Sequence, residues 1–495
     1  MATNPDIESD IPHEVYSFFR ALNKAVDSWD TNLLHDMYEN QFPSFTQNFY
    51  VAGPGQFRPW PSLRIKAVSD CFKNRTAEQL YSFLRFKHLF TDRGVKLSDA
   101  KSSWETFSNL FTALPSGSCD VPNWLLWDIF DEFLFQMTVV YQKRFAGRVE
   151  WSVSEAVQML QRVVAESGIE EAIQTENPDE ITKPGAKHAQ WMCGFFGIIT
   201  LSKIDVLLGD YNGALNALET LDIYGRGRQV LLTIAPANVS LLYHVGFSYL
   251  MLRRYADASR VFRLSLSTKV GNRKFSEKMQ LDCAYMHVIS CILGGMQPDN
   301  LSWLMEPRKL SAFEDDKELL AAGDEERFRE VFDRCSPKFL AVPPITTSVY
   351  KGTEGKELQA RLFRRTVKQQ EDIIKLRGYL GVYQTTTTEL VKTILDVDDG
   401  FVPLFAMKLR SRQLVHDGVS ADLLSGTFAV RAALDCTVKG ENINVVQKSS
   451  YRTTESKYWM RINNLRRRYR HFENQKQERQ ERQERRQAQH VSTVN

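Results

Sequence analysis

The sequence lacks the short motifs that mark the common nucleotide-, zinc- and serine-dependent enzymes. It contains no G-x-x-x-x-G-K-[ST] phosphate loop, no H-E-x-x-H pair of zinc ligands and no G-x-S-x-G nucleophile elbow. Gly225-Arg226-Gly227 begins like a dinucleotide-binding loop, but a third glycine and a preceding strand are missing. We therefore expect no catalytic residues, no metal, no cofactor and no small-molecule substrate.

The spacing of the cysteines and the hydropathy of the chain argue against several further classes of protein. The seven cysteines are scattered and never spaced C-x-x-C, which argues against a disulfide framework and against a zinc site. No run of about 18 apolar residues occurs, and the N-terminal sequence MATNPDIESDIPHE is acidic where a signal peptide would be basic and then apolar. We expect reduced thiols, no membrane, and a location in the cytosol or nucleus.

Charge is distributed unevenly along the chain. The formal net charge is +3, yet residues 461–490 alone hold ten Lys or Arg and four Glu, a local charge of +6. The first fourteen residues carry Asp6, Glu8, Asp10 and Glu14 and no Lys or Arg. A nearly neutral body thus has an acidic head and a basic tail, and such a tail is a candidate for contact with nucleic acid.

A helical hairpin of the tetratricopeptide type is predicted at residues 238–266. The stretch has small and aromatic residues at the required offsets, namely Gly246, Tyr249, Tyr255, Ala258 and Phe262. Tyr211, Ala214 and Leu218 repeat part of the pattern 44 positions earlier, so a degenerate second hairpin precedes the first. Because one hairpin cannot bury both faces alone, the pattern predicts a stack of helix pairs, and stacks of this kind hold partners.

Other segments are predicted from periodicity and composition. NWLLWDIFDEFLFQMTVVYQ at 123–142 predicts a central core helix, on which Asp128, Asp131 and Glu132 are interpreted as a solvated face and not as a catalytic carboxylate pair. Residues 167–189 are polar and contain proline, which indicates a linker or loop. Residues 315–329 predict a charged surface helix, and residues 362–383 predict one longer helix.

The last third of the chain predicts a winged helix. A capping box from Thr386 to Glu389 opens one short helix, and residues 398–409 form another with Phe401, Leu404, Phe405 and Leu409 facing inward. Strands are predicted at 412–415, 434–438 and 443–446, with a turn at Gly440 between the last two. The fold class is therefore mainly α: a TPR-like helical-hairpin solenoid, a winged helix at about 385–450, and a C-terminal helix. His244 and His287 lie on helical segments and are expected to be core or interface residues and not ligands.

Four blocks of sequence carry a family resemblance: PNWLLWDIFDEF from Pro122, LLGDYNGALNALETLDI from Leu207, YHVGFSYLMLRRYADASRVF from Tyr243 and CSPKFL from Cys335. Together with the predicted order of elements, they make the chain similar to the PCI-domain subunits of eukaryotic translation initiation factor 3. The resemblance implies an N-terminal helical region at 1–115, helical repeats at 116–240, a PCI module at 241–452 and a C-terminal helix with a basic tail at 453–495.

The resemblance also implies a function and partners. It implies a cytoplasmic, non-catalytic subunit that joins other PCI subunits of the initiation factor and supports the pre-initiation complex on the small ribosomal subunit. Within the wing, the strand-addition candidates are Thr437, Val438, Ile443 and Val445. In the C-terminal helix, Trp459, Ile462 and Leu465 would bundle with partner helices, and Arg466, Arg467, Arg468 and Arg470 are candidates for ribosomal RNA contact.

Two alternatives stay open at this point. The first is a PCI subunit of a proteasome-lid or signalosome-type complex, which has the same architecture. The second is a winged-helix regulator that binds nucleic acid directly, although Asp398 and Asp399 at the start of the predicted second helix disfavour groove insertion.

Overall fold

A computed structural model describes residues 11–51, 57–91, 95–117, 120–143, 151–269, 274–301, 307–340 and 353–447. The described chain is mostly helical with few strands, which confirms the predicted fold class. The helices of the first half are α1 His13–Asp27, α2 Thr31–Asp36, α3 Phe42–Phe45, α4 Lys66–Ser69, α5 Arg75–Leu89, α6 Leu97–Ala113, α7 Asn123–Lys143, α8 Val153–Ser167, α9 Ile169–Thr175, α10 Pro178–Thr182, α11 His188–Leu208, α12 Tyr211–Asn216 and α13 Arg226–Leu232. Those of the second half are α14 Ala235–Met251, α15 Tyr255–Leu266, α16 Lys274–Gly294, α17 Pro307–Ala322, α18 Glu325–Cys335, α19 Glu354–Lys368, α20 Glu371–Leu380, α21 Thr388–Leu395 and α22 Phe401–Ser411.

Buried apolar side chains form two clusters. The larger one runs from Val15 through the helical stack to Leu423 without a break at residues 115 or 240. The smaller one belongs to the winged helix and is built around Leu380, Val391, Leu404 and Ile443. The solenoid therefore has one continuous core, and the winged helix adds a second.

The predicted hairpin consists of α14 and α15, and its helices approach closely through a glycine. A Cβ atom on Gly246 would lie 2.7 Å from the ring of Phe262, so only glycine lets the two helices pack at this distance. Gly194 has the same role between α11 and α8, because a Cβ there would lie 1.9 Å from the Ser167 hydroxyl. The small residues are therefore required by helix contact.

Helix α11 is long and apolar enough to cross a membrane, but its apolar window is 78% buried inside the fold. It packs against α7, α8 and α12. His244 on α14 and His287 on α16 are also buried, as predicted for core residues. Helix α11 is thus an internal helix of the stack.

Several local predictions are wrong. Residues 167–189 are not a loop, because α9 and α10 bury Ile169, Ile173 and Ile181. The expected charged helix is divided between α17 and α18, since Gly323 adopts a left-handed φ of 85° and Asp324 caps the second helix. The single helix expected at 362–383 is two, α19 and α20, and α21 is capped by Thr387 and not by Thr386.

The strands form two small sheets. The strands are β1 Thr385–Thr387, β2 Arg412–Val415, β3 Thr427–Val430, β4 Leu434–Lys439 and β5 Asn442–Gln447. One antiparallel sheet has the order β1-β5-β4, and β2 pairs with β3 in a separate ribbon. The predicted wing and its turn are present, with Gly440 at φ 61°. Strands β1 and β3 were not predicted.

A buried ion-pair network fastens the β2–β3 ribbon to the hairpin. The Asp257 carboxylate on α15 is fully buried and accepts hydrogen bonds from the backbone N–H of His416 at 3.0 and 3.1 Å. Arg254 and Arg260 pair with the same carboxylate at 2.8 and 3.0 Å. Arg254 also donates to the carbonyls of residues 423–425, and Arg260 donates to the carbonyl of His416. One carboxylate thus links the solenoid to the chain that follows α22.

We predict that Asp257→Asn destabilises the protein by about 3–5 kcal/mol, because the change leaves the buried Arg254 and the half-buried Arg260 without their counter-charge. The free energy of unfolding, measured by urea denaturation followed by circular dichroism, checks this. Asp315→Asn on the exposed face of α17 is the matched control and should change stability by less than about 0.5 kcal/mol. Equal stabilities of the two variants would contradict the assigned role of Asp257.

Candidate interaction surface

The winged helix presents an apolar face to solvent along α22. Pro403, Leu404 and Met407 point into the small core, as the helix period requires. The opposite face carries Val402, Phe405 and Leu409, which are 64%, 65% and 57% exposed. These three residues are spaced i, i+3 and i+7 and form the α22 stripe.

This arrangement corrects the prediction for α22. Of the four residues expected to face inward, only Leu404 does so, whereas Phe401, Phe405 and Leu409 are exposed. The sequence is apolar on both faces of this helix, so periodicity alone could not identify the buried one. Leu390 and Ile394, four residues apart on α21, are also exposed and extend the apolar character of the module.

The edge of the wing is β4 and not β5. Ile443 lies in the central strand, is fully buried, and pairs with Thr386 on one side and Val438 on the other. The backbone N–H of Val445 donates to the Gln384 carbonyl at 2.8 Å. Ile443 and Val445 therefore do not supply the strand edge that the sequence analysis assigned to them.

Strand register identifies which backbone groups of β4 point outward. Ile443 and Val445 direct their backbone N–H and C=O groups toward β1, so Asn444 between them directs its groups toward Thr437 of β4. Backbone groups alternate in direction along a strand, and the N–H and C=O of Cys436 and Val438, on either side of Thr437, therefore point away from β5. The Cys436 N–H is bonded to the Asp435 side chain at 2.8 Å. Within the described part of the chain no strand pairs with the outer side of β4. Thr437 and Val438 thus lie at an edge, and Val438 directs its backbone outward.

The remaining predicted contact residues lie outside the described residues. These are Trp459, Ile462 and Leu465 of the C-terminal helix and Arg466, Arg467, Arg468 and Arg470 of the basic tail.

The three acids of α7 are half-buried and have partners on neighbouring residues, so they do not form a solvated face. Asp128 pairs with Lys87 of α5 at 3.0 Å, and Asp131 pairs with Lys203 of α11 at 2.6 Å. Glu132 accepts a hydrogen bond from Gln136 at 2.9 Å. Burial raises the pKa of the Glu132 carboxyl to about 7, although the positive charge of Lys87 opposes the shift. Such a pKa is also found in general acids, but here the ion pairs join three helices of the stack.

Metal ligation is not indicated by the described residues, and His244 is a core residue. Among them no group of three or more His, Cys, Asp or Glu side chains is placed to hold a metal ion. Burial lowers the pKa of His244 to about 3, and its Nδ1 lies 2.7 Å from the Ser240 carbonyl of its own helix.

Comparison with known proteins identifies a matching family and several relatives. Residues 99–465 match the family model described as "RNA polymerase I-associated factor PAF67". The chain is similar to proteins named "Eukaryotic translation initiation factor 3 subunit L" from Caenorhabditis elegans, at 28% identity over 82% of each chain, and from Brugia malayi, at 27% over 82% of this chain and 81% of the relative. The similarity to the Homo sapiens protein of that name is 25% identity over 83% of this chain and 78% of the relative. The resemblance drawn from the sequence blocks is thereby confirmed.

Glu132 of the α7 cluster provides a test by pH. Its pKa of about 7 in the folded protein exceeds the ordinary value of 4.5, so between these values the folded state holds a proton that the unfolded state has lost, and stability falls as pH rises. We predict that the Glu132→Gln variant does not show this fall in stability with rising pH. Relative to the parent, the variant should gain on the order of 1–2 kcal/mol between pH 5 and pH 8 in urea denaturation.

The exposed Glu105→Gln is the control and should show the same difference from the parent at both pH values. If Glu132→Gln behaved in that way too, the interior placement of Glu132 would be wrong.

Proposed function

The chain belongs to the family of RNA polymerase I-associated factor PAF67, and we propose that it serves as a non-catalytic scaffold subunit of eukaryotic translation initiation factor 3 in the cytoplasm. Its relatives bear the name of subunit L of that factor from nematodes to human. In this proposal the helical stack positions the winged helix, and the winged helix binds other PCI subunits of the complex.

One observation carries the proposal: the α22 stripe exposes more than half of each of three large apolar side chains. Burying such a side chain fully is worth about 1.5–3 kcal/mol, so leaving three of them in water disfavours the isolated chain. A partner helix with apolar residues at the same spacing would bury them, which is the usual helix-in-groove mode of recognition.

The β4 edge offers a second contact surface. The outward N–H and C=O of Val438 can pair with a strand of a neighbouring wing, with Thr437 beside them. In the same proposal Trp459, Ile462 and Leu465 pack with partner helices, and the tail arginines bind RNA of the small ribosomal subunit.

We predict that Phe405→Asp releases the subunit from its complex, because it places a charge in the centre of the buried contact. Tagged chain is expressed in eukaryotic cells, and the co-purified initiation factor 3 subunits are quantified by mass spectrometry. We expect a loss of about tenfold or more, since a central interface residue typically contributes at least 1.4 kcal/mol. Leu232→Asp on α13, an apolar residue that is 56% exposed elsewhere, is the matched control and should co-purify normally.

Val438→Pro tests the β4 edge independently of the α22 stripe, because proline removes the outward N–H and leaves the β4–β5 pairing intact. Full recovery of the complex with both Phe405→Asp and Val438→Pro would overturn the proposed contacts. Recovery of proteasome-lid, signalosome or polymerase I subunits with the unaltered chain would overturn the assignment to the initiation factor.

The tail makes an independent prediction. Changing Arg466, Arg467, Arg468 and Arg470 to Ser should weaken binding to the small ribosomal subunit and flatten its salt dependence, because fewer counterions are released. Sedimentation with purified 40S particles at several salt concentrations measures both. Changing Lys356, Arg361, Arg364 and Lys368 of α19 to Ser is the charge-matched control, because these side chains are exposed and lie outside the tail. An unchanged salt slope in the tail variant would count against RNA contact there.

A further inference from the structure

A basic groove lies where the turn of the α14–α15 hairpin meets α19, α22 and β2. It consists of two adjoining depressions of about 360 and 580 Å³, and both are lined by Arg253. Arg253 ends the α14 turn in a left-handed conformation with φ 62°, and its guanidinium donates to Thr366 at 3.2 Å and to Gln369 at 3.0 Å. The side chain is thus oriented along the floor between the two depressions.

The groove is lined by positive side chains and by no acidic one. Arg253, Arg365, Arg410 and Arg412 line it, and none of its lining residues is Asp or Glu. Arg254 also lines it, but its charge is balanced by Asp257. The other four arginines are in no ion pair among the described residues, which distinguishes this groove from the paired charges of the α7 cluster.

Buried polar atoms near the floor lack partners. Gln370 is 4% exposed and lines the larger depression, and its Oε1 has no hydrogen-bond partner in the described chain. Arg377 is 8% exposed and reaches the carbonyls of Ile292 and Leu293 with one nitrogen, while its Nε and other terminal nitrogen are unpaired there. Burial, to which the positive charge of Arg410 adds, lowers the pKa of Arg377 to about 10. An anion in the groove would relieve this repulsion.

An exposed aromatic ring stands at the wall of the larger depression. Phe428 on β3 is 69% exposed and lines the groove with Leu409. A flat exposed ring beside arginines is the combination that binds single-stranded nucleic acid, since bases stack on the ring and guanidinium groups bind phosphates.

We propose that this groove binds single-stranded RNA, with Arg253, Arg410 and Arg412 on the backbone phosphates and Phe428 stacked on a base. An acidic peptide would also satisfy the charges, but the exposed Phe428 ring beside the arginines offers a stacking surface for a base, so RNA fits these side chains better. The proposal does not depend on the proposed assembly function, because it concerns the isolated chain and a site separate from the basic tail.

Fluorescence anisotropy of a labelled 12-nucleotide oligouridylate with the full-length chain tests this proposal. We expect Arg410→Gln/Arg412→Gln to lower the slope of log K against log salt by about 1.4, since each phosphate contact on a single strand contributes about 0.7. Phe428→Ala should weaken binding about tenfold with an unchanged slope, because it removes stacking and no charge. Arg361→Gln/Lys392→Gln, exposed and outside the groove, is the charge-matched control and should bind like the parent.

Cross-linking with 4-thiouridine RNA, followed by mass spectrometry, separates the groove from the tail. Cross-links to peptides that contain Phe428 or Arg412 support the proposal. Cross-links confined to residues after 447, or groove variants indistinguishable from the control, overturn it. Displacement of the RNA by an acidic peptide of equal charge at lower concentration would instead assign the groove to a protein partner.

Discussion

Asp257 lies fully buried between the helical stack and the chain that follows α22, and a carboxylate in that position has to be neutralised. Arg254 and Arg260 do so from the same helix, and the backbone N–H of His416 completes the set. The two arginines also donate hydrogen bonds to backbone carbonyls of the 416–425 segment. This one charge therefore anchors residues 416–425 to the helical stack.

Two tyrosines of the hairpin reinforce the same junction. The Tyr249 hydroxyl donates to the Leu423 carbonyl at 2.8 Å, and the Tyr255 hydroxyl accepts from Gln370 at 2.7 Å. These are residues of the tetratricopeptide pattern, so the pattern holds the next module in place as well as closing the hairpin.

The sequence predicted those elements whose pattern is local. The hairpin was found from Gly246 and Phe262, and the wing from its alternation around Gly440, because in each case neighbouring residues carry the signal. The sequence did not reveal the helix breaks at Gly323 and Gln370, because an interruption of two residues changes the helical periodicity very little. It did not reveal the short strands β1 and β3 either. For α22 both faces are apolar, and only packing against Leu380 and Ile443 decides which one is buried. The groove could not be found at all, because Arg253 and Arg412 are brought together from distant parts of the chain.

The separation of the strands into two sheets bears on how such proteins diversify. The β1-β5-β4 wing has its own core, while the β2–β3 ribbon that interrupts it in sequence is bonded to α15. A winged helix transplanted without the α14–α15 hairpin would leave the His416 N–H and the 423–425 carbonyls without their partners. Exchange of this module between related chains during evolution therefore requires the hairpin to be inherited together with it.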